Sequence, residues 1–164
     1  MAAFIPELFQ RLTTGVYVIG VGKGDRRNAF TAAWVMQVSY DPLLVALSIN
    51  AKHSSYTLLN EHRAFSVNIL SKGDLERAAQ FGQPASAGKM KVAEWTTGRT
   101  GLSLLRGAIG WLECEVASET PAGDHRLVVG RVIDGELVDR EAEPMLYRET
   151  DAMDNSAALF PKTF

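Results

Sequence analysis

The feature that most restricts the fold is the succession of short β-type runs without the regular strand–helix–strand alternation that a parallel sheet needs. GVYVIGV (15–21) is rich in β-branched and aromatic residues, the glycine-rich GKGDRRN (22–28) reads as a turn, and FTAAWVMQVSYDP (30–42) is extended again. Together they predict a long hairpin. LLVALSIN (43–50) is nearly continuous in apolar residues, and AFSVNIL (64–70) alternates, with Phe65, Val67 and Ile69 on one face and Ser66 and Asn68 on the other; both read as strands. From residue 108 onward, AIGWLECEVAS, the run after Gly123-Asp124, and GELVD (135–139) read as successive strands with turns between them. Only short helices interrupt the series. PELFQRLT (6–13) spaces Leu8, Phe9 and Leu12 as one apolar face, SSYTLLNEH (54–62) follows two serines able to cap it, and DLERAAQF (74–81) is opened by Asp74. QPASAGKMKVAEWTTGRTG (83–101) reads as a polar surface excursion, and long loops in compact domains often carry function. The expectation is a mainly β, antiparallel barrel with helical insertions, in one domain over residues 1–164.

With 164 residues and 46% apolar content, the chain can bury a sizeable core. Its net charge of -2 offers no positive field for nucleic-acid phosphates or an anionic membrane, so neither partner is expected. The single cysteine, Cys114, excludes an internal disulfide framework and a multi-cysteine zinc site, and fits a reducing compartment; the cytoplasm is the expected location. MAAFIPELFQRL carries acid and base early and has no long apolar run, so neither a signal peptide nor a membrane span is predicted.

Gly20-Val21-Gly22-Lys23-Gly24 follows a strand, but its GxGxG spacing and the polar turn beyond it fit a hairpin rather than a dinucleotide loop opening a helix. Lys52-His53-Ser54-Ser55-Tyr56-Thr57 ends a strand and opens a helix, where unpaired N–H groups and the helix dipole favour an anion. Ordinary capping by Ser54 or Ser55 is the competing reading. Thr31, Ala32 and Ala33 are small enough for a flat ligand to approach the backbone, or for the wall of a barrel to curve. Cys114 shares a face with Leu112 and Val116, opposite Glu113 and Glu115, and reads as core, while the charged residues read as ordinary surface. No HExxH, GxSxG or paired Cys/His spacing offers hydrolytic or metal chemistry. His125 heads a strand after Gly123-Asp124, where it can be either a hydrogen-bonded turn residue or a ligand contact.

In order along the chain, LTTGVYVIG, NAFTAAWVMQVSYDPLLVALSIN, KHSSYTLL, FSVNIL, GLSLLRGAIGWLECEV and GDHRLVVGRV resemble the flavin reductase-like family, the FMN-binding split barrels, over about residues 8–148. The resemblance implies a six-stranded antiparallel Greek-key split barrel, a homodimer, FMN or FAD at the dimer cleft, and NADH or NADPH as hydride donor. It places Asn28, Thr31, Ala33, Trp34 and Val35 against the flavin ring and ribityl chain, with Ser48 and Asn50 lining the same cleft. Lys52, Ser54, Ser55 and Tyr56 would surround the phosphate, and Phe81 and Lys89 would approach the cofactor from the intervening loop. His125, in the matching Gly-Asp-His triplet, would bind or position the nicotinamide. The implied activity is NAD(P)H:flavin oxidoreduction, with a partner monooxygenase a common recipient of the reduced flavin. The alternatives are a flavoprotein with tightly bound FMN that reduces another acceptor such as ferric chelates, and a non-catalytic flavin-binding dimer module. The tail 151–164 has no strong counterpart; its Phe160 and Phe164 favour docking over exposure, across the cleft or against a partner subunit.

Overall fold

The computed structural model describes residues 4–151 and 153–161. In chain order its elements are α1 (Ile5–Arg11), β1 (Tyr17–Lys23), β2 (Arg26–Ala32), β3 (Val35–Ser39), β4 (Leu44–Asn50), α2 (Ser54–His62) and β5 (Ala64–Ile69). There follow α3 (Leu75–Gly82), a 3₁₀ turn at Lys89–Val92, β6 (Trp95–Thr97), β7 (Ser103–Leu105), β8 (Gly110–Ala122) and β9 (His125–Leu137). Two further 3₁₀ turns, Tyr147–Thr150 and Ser156–Leu159, complete the C-terminal segment.

Seven strands form one antiparallel sheet in the order β2-β1-β5-β8-β9-β4-β3. This corrects the six-stranded closed architecture: the extended run from Phe30 onward breaks at Ala33-Trp34, yielding two strands on opposite edges, and no ladder joins them. Because the three steps from Ala32 to Val35 span at most about 11 Å, the sheet must curl until its edges come close at this crossing. The β1–β2 turn is Gly24-Asp25, with Lys23 opposite Arg26, so the glycine-rich stretch is a hairpin turn as expected. Gly22 has φ +74, and a Cβ there would lie 2.1 Å from the Arg26 carbonyl. GELVD is no separate strand: Gly135–Leu137 complete β9, whose 13 residues pair with β8 across the turn at Gly123-Asp124. The excursion at 83–101 is also more ordered than its polarity suggests, because Trp95 anchors the short β6–β7 ladder.

β1 is apolar on both faces because it separates two cores. Ile19 and Val21 point inward with Phe30, Leu47, Phe65, Val67, Cys114 and Val128, and α2 closes this core with Leu59. Val16 and Val18 face a second core containing Leu70, Ala78, Phe81, Leu105 and Met145. Ser66 and Asn68 are therefore buried too. The Ser66 hydroxyl donates to the Ser103 carbonyl at 2.8 Å, and Asn68 accepts from the Leu105 N–H at 2.8 Å. Glu113 departs from the surface reading: its fully buried carboxylate accepts from the N–H groups of Arg99 at 2.7 Å and Thr100 at 3.0 Å. The opposite correction applies to α1, which buries none of its residues; Leu8, Phe9 and Leu12 are all exposed.

Candidate functional site

At the end of the sheet where β4 finishes and β9 begins, His125 stands opposite Asn50 in one ladder and Ala122 in the other. Its ring centroid lies 5.0 Å from that of Trp34. The Asp124 carboxylate accepts from Nδ1 at 2.7 Å, which puts the ring proton on that nitrogen and leaves Nε2 as the one open to a ligand. The same bond, reinforced by the charge of His125, holds the Asp124 carboxyl below its usual range.

Trp34 is 51% exposed and sits on the two-residue crossing between the sheet edges, where its carbonyl accepts from the Ser48 N–H at 3.0 Å. Trp34, Ser48, Asp124 and His125 form one wall of a cleft of about 700 Å³. Phe9 of α1, Leu12 and Thr14 supply the opposite wall together with Tyr147, Ser156, Leu159 and Phe160 of the C-terminal segment. Phe9 and Phe160 meet at 5.4 Å, and the Tyr147 hydroxyl donates to Asp154 at 2.8 Å, tying down the tail. Burial pushes the Tyr147 phenol above its ordinary pKa. The expected docking of Phe160 is thus seen, whereas Phe164 lies outside the described residues. Of these second-wall residues the tail was expected to cover the cleft or a partner subunit, whereas Phe9, Leu12, Thr14 and Tyr147 were not sequence candidates for the site. For Phe9 and Leu12 the available signal was the apolar face read on α1, to which no partner was assigned.

A smaller cavity of about 280 Å³ lies beside the same crossing, lined by Thr31, Ala32 and Ala33 together with Ala78, Ala79 and Gly82 of α3. Thr31 ties the two elements, its hydroxyl donating to the Ala78 carbonyl at 2.7 Å. Val35 pairs with Leu47 and packs against the inner core.

At the start of α2 the cap is neither serine but His53, whose Nδ1 accepts from the Ser55 N–H at 3.1 Å. Burial, followed by the charge of Lys89, lowers the His53 pKa and so favours the neutral form that capping requires. Asn28 donates to the Ser55 hydroxyl at 2.9 Å, and both are buried. Asn50 accepts from the Lys52 N–H at 2.9 Å. The exposed side chains of Lys52 and Ser54 carry no hydrogen bond among the described residues. Lys89 is 5% exposed, and its ammonium donates to the Gln83 carbonyl; burial lowers its pKa. Tyr56 turns away from the helix start to donate to Glu119 at 3.0 Å. Burial would raise the Glu119 pKa, but the bonds from Arg126 and Tyr56 and the nearby guanidinium charges outweigh it. Phe81 is fully buried, edge-on to Trp95 at 5.4 Å, and so belongs to the second core rather than to an open wall.

The geometry therefore brings Trp34, Ser48 and His125 together on a mostly apolar cleft of ligand size. Asn50, opposite His125 in the ladder, leads from there to the start of α2 through its bond to Lys52, although among the described residues none of α2 lines that cleft. A family model described as the flavin reductase like domain matches residues 9–155. The NADH-dependent FMN reductase AsuE2 of Streptomyces nodosus subsp. asukaensis is 31% identical over 139 residues, covering 83% of this chain and 75% of that protein. The reductase component of 4-hydroxyphenylacetate 3-monooxygenase from Thermus thermophilus is 31% identical over 142 residues, covering 86% and 88%. Among solved structures, the NADH:FAD oxidoreductase SgcE6 of Streptomyces globisporus C-1027 matches with a TM-score of 0.82 at 28% identity, covering 89% and 88%. The chain spans about a quarter of the length of the diflavin flavoproteins that it also matches.

Proposed function

The chain belongs to the flavin reductase-like family, and on that premise we propose that it is an NAD(P)H-dependent flavin reductase, acting on FMN or FAD in the cleft beside Trp34. The observation that carries the reading is the placement of His125 against Trp34 at the mouth of an apolar cleft large enough for stacked rings. The flavin supplies the two-electron acceptor for a hydride from the reduced nicotinamide; the protein supplies position and electrostatics.

Trp34 and Ser48 provide one face of the ring site, and the apolar side chains of Phe9 and Phe160 exclude water from the other. Lys52 and Ser54 receive the phosphate at the α2 N-terminus, where the helix dipole adds to the ammonium charge. Asn28, Ser55 and His53 hold that helix start in shape from behind. His125, its tautomer set by Asp124, offers Nε2 to the nicotinamide carboxamide. Arg126 pairs with Glu119 at 2.9 Å and Arg131 with Glu115 at 3.1 Å, so neither guanidinium supports a preference for a 2′-phosphate.

The functional unit in this reading is a homodimer. Met36, Val38, Tyr40 and Leu43 are exposed on and just beyond edge strand β3, with Tyr40 at 90%. A second copy covering this stripe would remove both the apolar surface and an open sheet edge from water. Reduced flavin then passes to a partner monooxygenase, in keeping with the likeness to a monooxygenase reductase component. No helix among the described residues is long and apolar enough to cross a membrane, and a cytoplasmic location agrees with the one reduced, buried cysteine.

The test is direct. Purified protein mixed with NADH or NADPH and FMN, FAD or riboflavin should consume the nicotinamide absorbance band in at least one pairing. No loss with any pairing overturns the reductase assignment.

A further inference from the structure

A second concavity, of about 770 Å³, lies away from the flavin cleft. It is reached along β9 at Arg131, six residues beyond His125, or roughly 20 Å at the rise of a strand. Its rim carries Lys23, Arg63, Arg99 and Arg131, with His62 beside them, against one carboxylate, Glu115. That concentration of positive charge stands out on a chain whose net charge is -2. Ala64, Val116 and Ile133 add an apolar surface to the lining.

Three of the cations are held in place by devices that a merely solvated surface would not need. Arg99 rides on a turn whose N–H groups at Arg99 and Thr100 are pinned by the buried Glu113 carboxylate at 2.7 and 3.0 Å. Gly98 is required next to it, because a Cβ would lie 2.4 Å from the Glu113 carboxylate. Burying a carboxylate is costly unless it is fully hydrogen-bonded, so this turn is specified, not incidental. The stem of Lys23 packs along Gly101 of the same turn, 3.4 Å from where a Cβ would stand. Arg63 occupies the left-handed C-cap of α2 at φ 49, a position that favours glycine. Glu115 is engaged by Arg131 at 3.1 Å and Arg63 approaches Glu119 at 3.6 Å, whereas the Lys23 and Arg99 side chains have no ion pair or hydrogen bond among the described residues.

We propose that this cleft binds a nucleotide-sized organic phosphate at a site separate from the flavin. Lys23 and Arg99 take the phosphate charge, Arg63 and Arg131 flank it, and the apolar surface takes the organic part. The volume lies within the range of small-molecule sites, about 300–1,000 Å³.

The experiment is calorimetric titration of ADP, and of adenosine as the uncharged control, into the free protein and the FMN-saturated protein. ADP should saturate a site in both states, and adenosine should not bind measurably. The double variant Lys23→Gln/Arg99→Gln should weaken ADP by roughly tenfold or more, since each loses a charged hydrogen bond. Both positions lie outside the core, so FMN affinity and the thermal midpoint should stay unchanged and separate a binding loss from misfolding. Absence of saturable ADP binding, displacement of ADP by FMN, or equal ADP affinity in the double variant overturns the proposal. None of these outcomes touches the reductase assignment, which is read from nicotinamide oxidation.

Discussion

Replacing His125 with alanine should separate positioning of the nicotinamide from binding of the flavin. The substitution removes Nε2 and the ring that faces Trp34 at 5.0 Å, but leaves the Gly123-Asp124 turn and the β8–β9 ladder in place. A hydrogen bond to the carboxamide contributes about 0.5–1.5 kcal/mol net, and a ring contact about the same. The combined loss of roughly 1–3 kcal/mol corresponds to a fall of about 5- to 150-fold in kcat/KM. Because a positioning contact exists before and during hydride transfer, most of the fall should appear in KM for NADH or NADPH. Steady-state oxidation at saturating flavin measures it, and fluorescence titration should show flavin affinity within about twofold, well inside the 1.4 kcal/mol that a tenfold change represents. Asp124→Asn should shift KM in the same direction by less, since the ring remains but its tautomer is no longer set. The Asp124 carboxyl is held below its ordinary pKa, so its ionised form persists down through the ordinary carboxylate range and is lost only as pH falls through the lowered value. KM in the wild type should therefore rise toward that of Asp124→Asn only on the acidic side. An unchanged kcat/KM in His125→Ala would refute the positioning role, and a parallel loss of flavin affinity would assign His125 to the flavin instead.

Glu113→Ala should destabilise the fold by about 2–6 kcal/mol in urea unfolding, because two backbone donors lose their acceptor at about 1–3 kcal/mol each; a loss below about 0.5 kcal/mol, the range of ordinary surface changes, would contradict the pinned turn. Burial, with Glu113 adjacent, pushes the Cys114 thiol up to about 12 from 9.0. A raised folded value means its contribution is complete below the unfolded pKa, so stability should fall by about 1.4 kcal/mol per pH unit between those two values, a slope absent in Cys114→Ala. Val38→Asp/Tyr40→Glu places charges on the exposed stripe at β3; light scattering should show a dimer for the wild type and a monomer for the variant, and a dimer that survives both charges removes β3 from the interface.

The hairpin turns were legible because their chemistry is local. Gly24-Asp25 and Gly123-Asp124 are short polar turns between β-type runs, and the chain reverses at both. The start of α2 was legible as a helix terminus, yet its cap was not. Residue preferences favour serine there, but an imidazole held neutral by burial accepts the same N–H from His53. The break at Ala33-Trp34 left no trace at all, since neither glycine nor proline marks it and both flanks favour strand. What ends β2 is the curl of the whole sheet, a property of seven strands together. Alternation in β5 likewise sorted Phe65 and Val67 from Ser66 and Asn68, but could not tell that β7 would cover the polar face and use it for hydrogen bonds.

The candidate site divides along the same line. The turn and strand around His125 mark its place locally but leave its role open, and the resemblance proposed that role; the α2 start was legible because a helix terminus is local. Phe9 and Tyr147 were missed, and the docking of Phe160 was expected without its partner, because their approach to His125 depends on tertiary closure between the two ends of the chain. Periodicity reads Leu8, Phe9 and Leu12 as one apolar face, but it measures spacing and not what lies opposite. In the fold the cleft and the C-terminal segment lie against Phe9, and α1 buries no residue. An amphipathic helix that remains apolar and unburied is costly as structure, and that cost becomes intelligible once the apolar face is the wall of a ring-binding site. The half-exposed Trp34 on the opposite wall follows the same logic. The exposed apolar side chains around this cleft are therefore better evidence for its ligand than any of the buried ones.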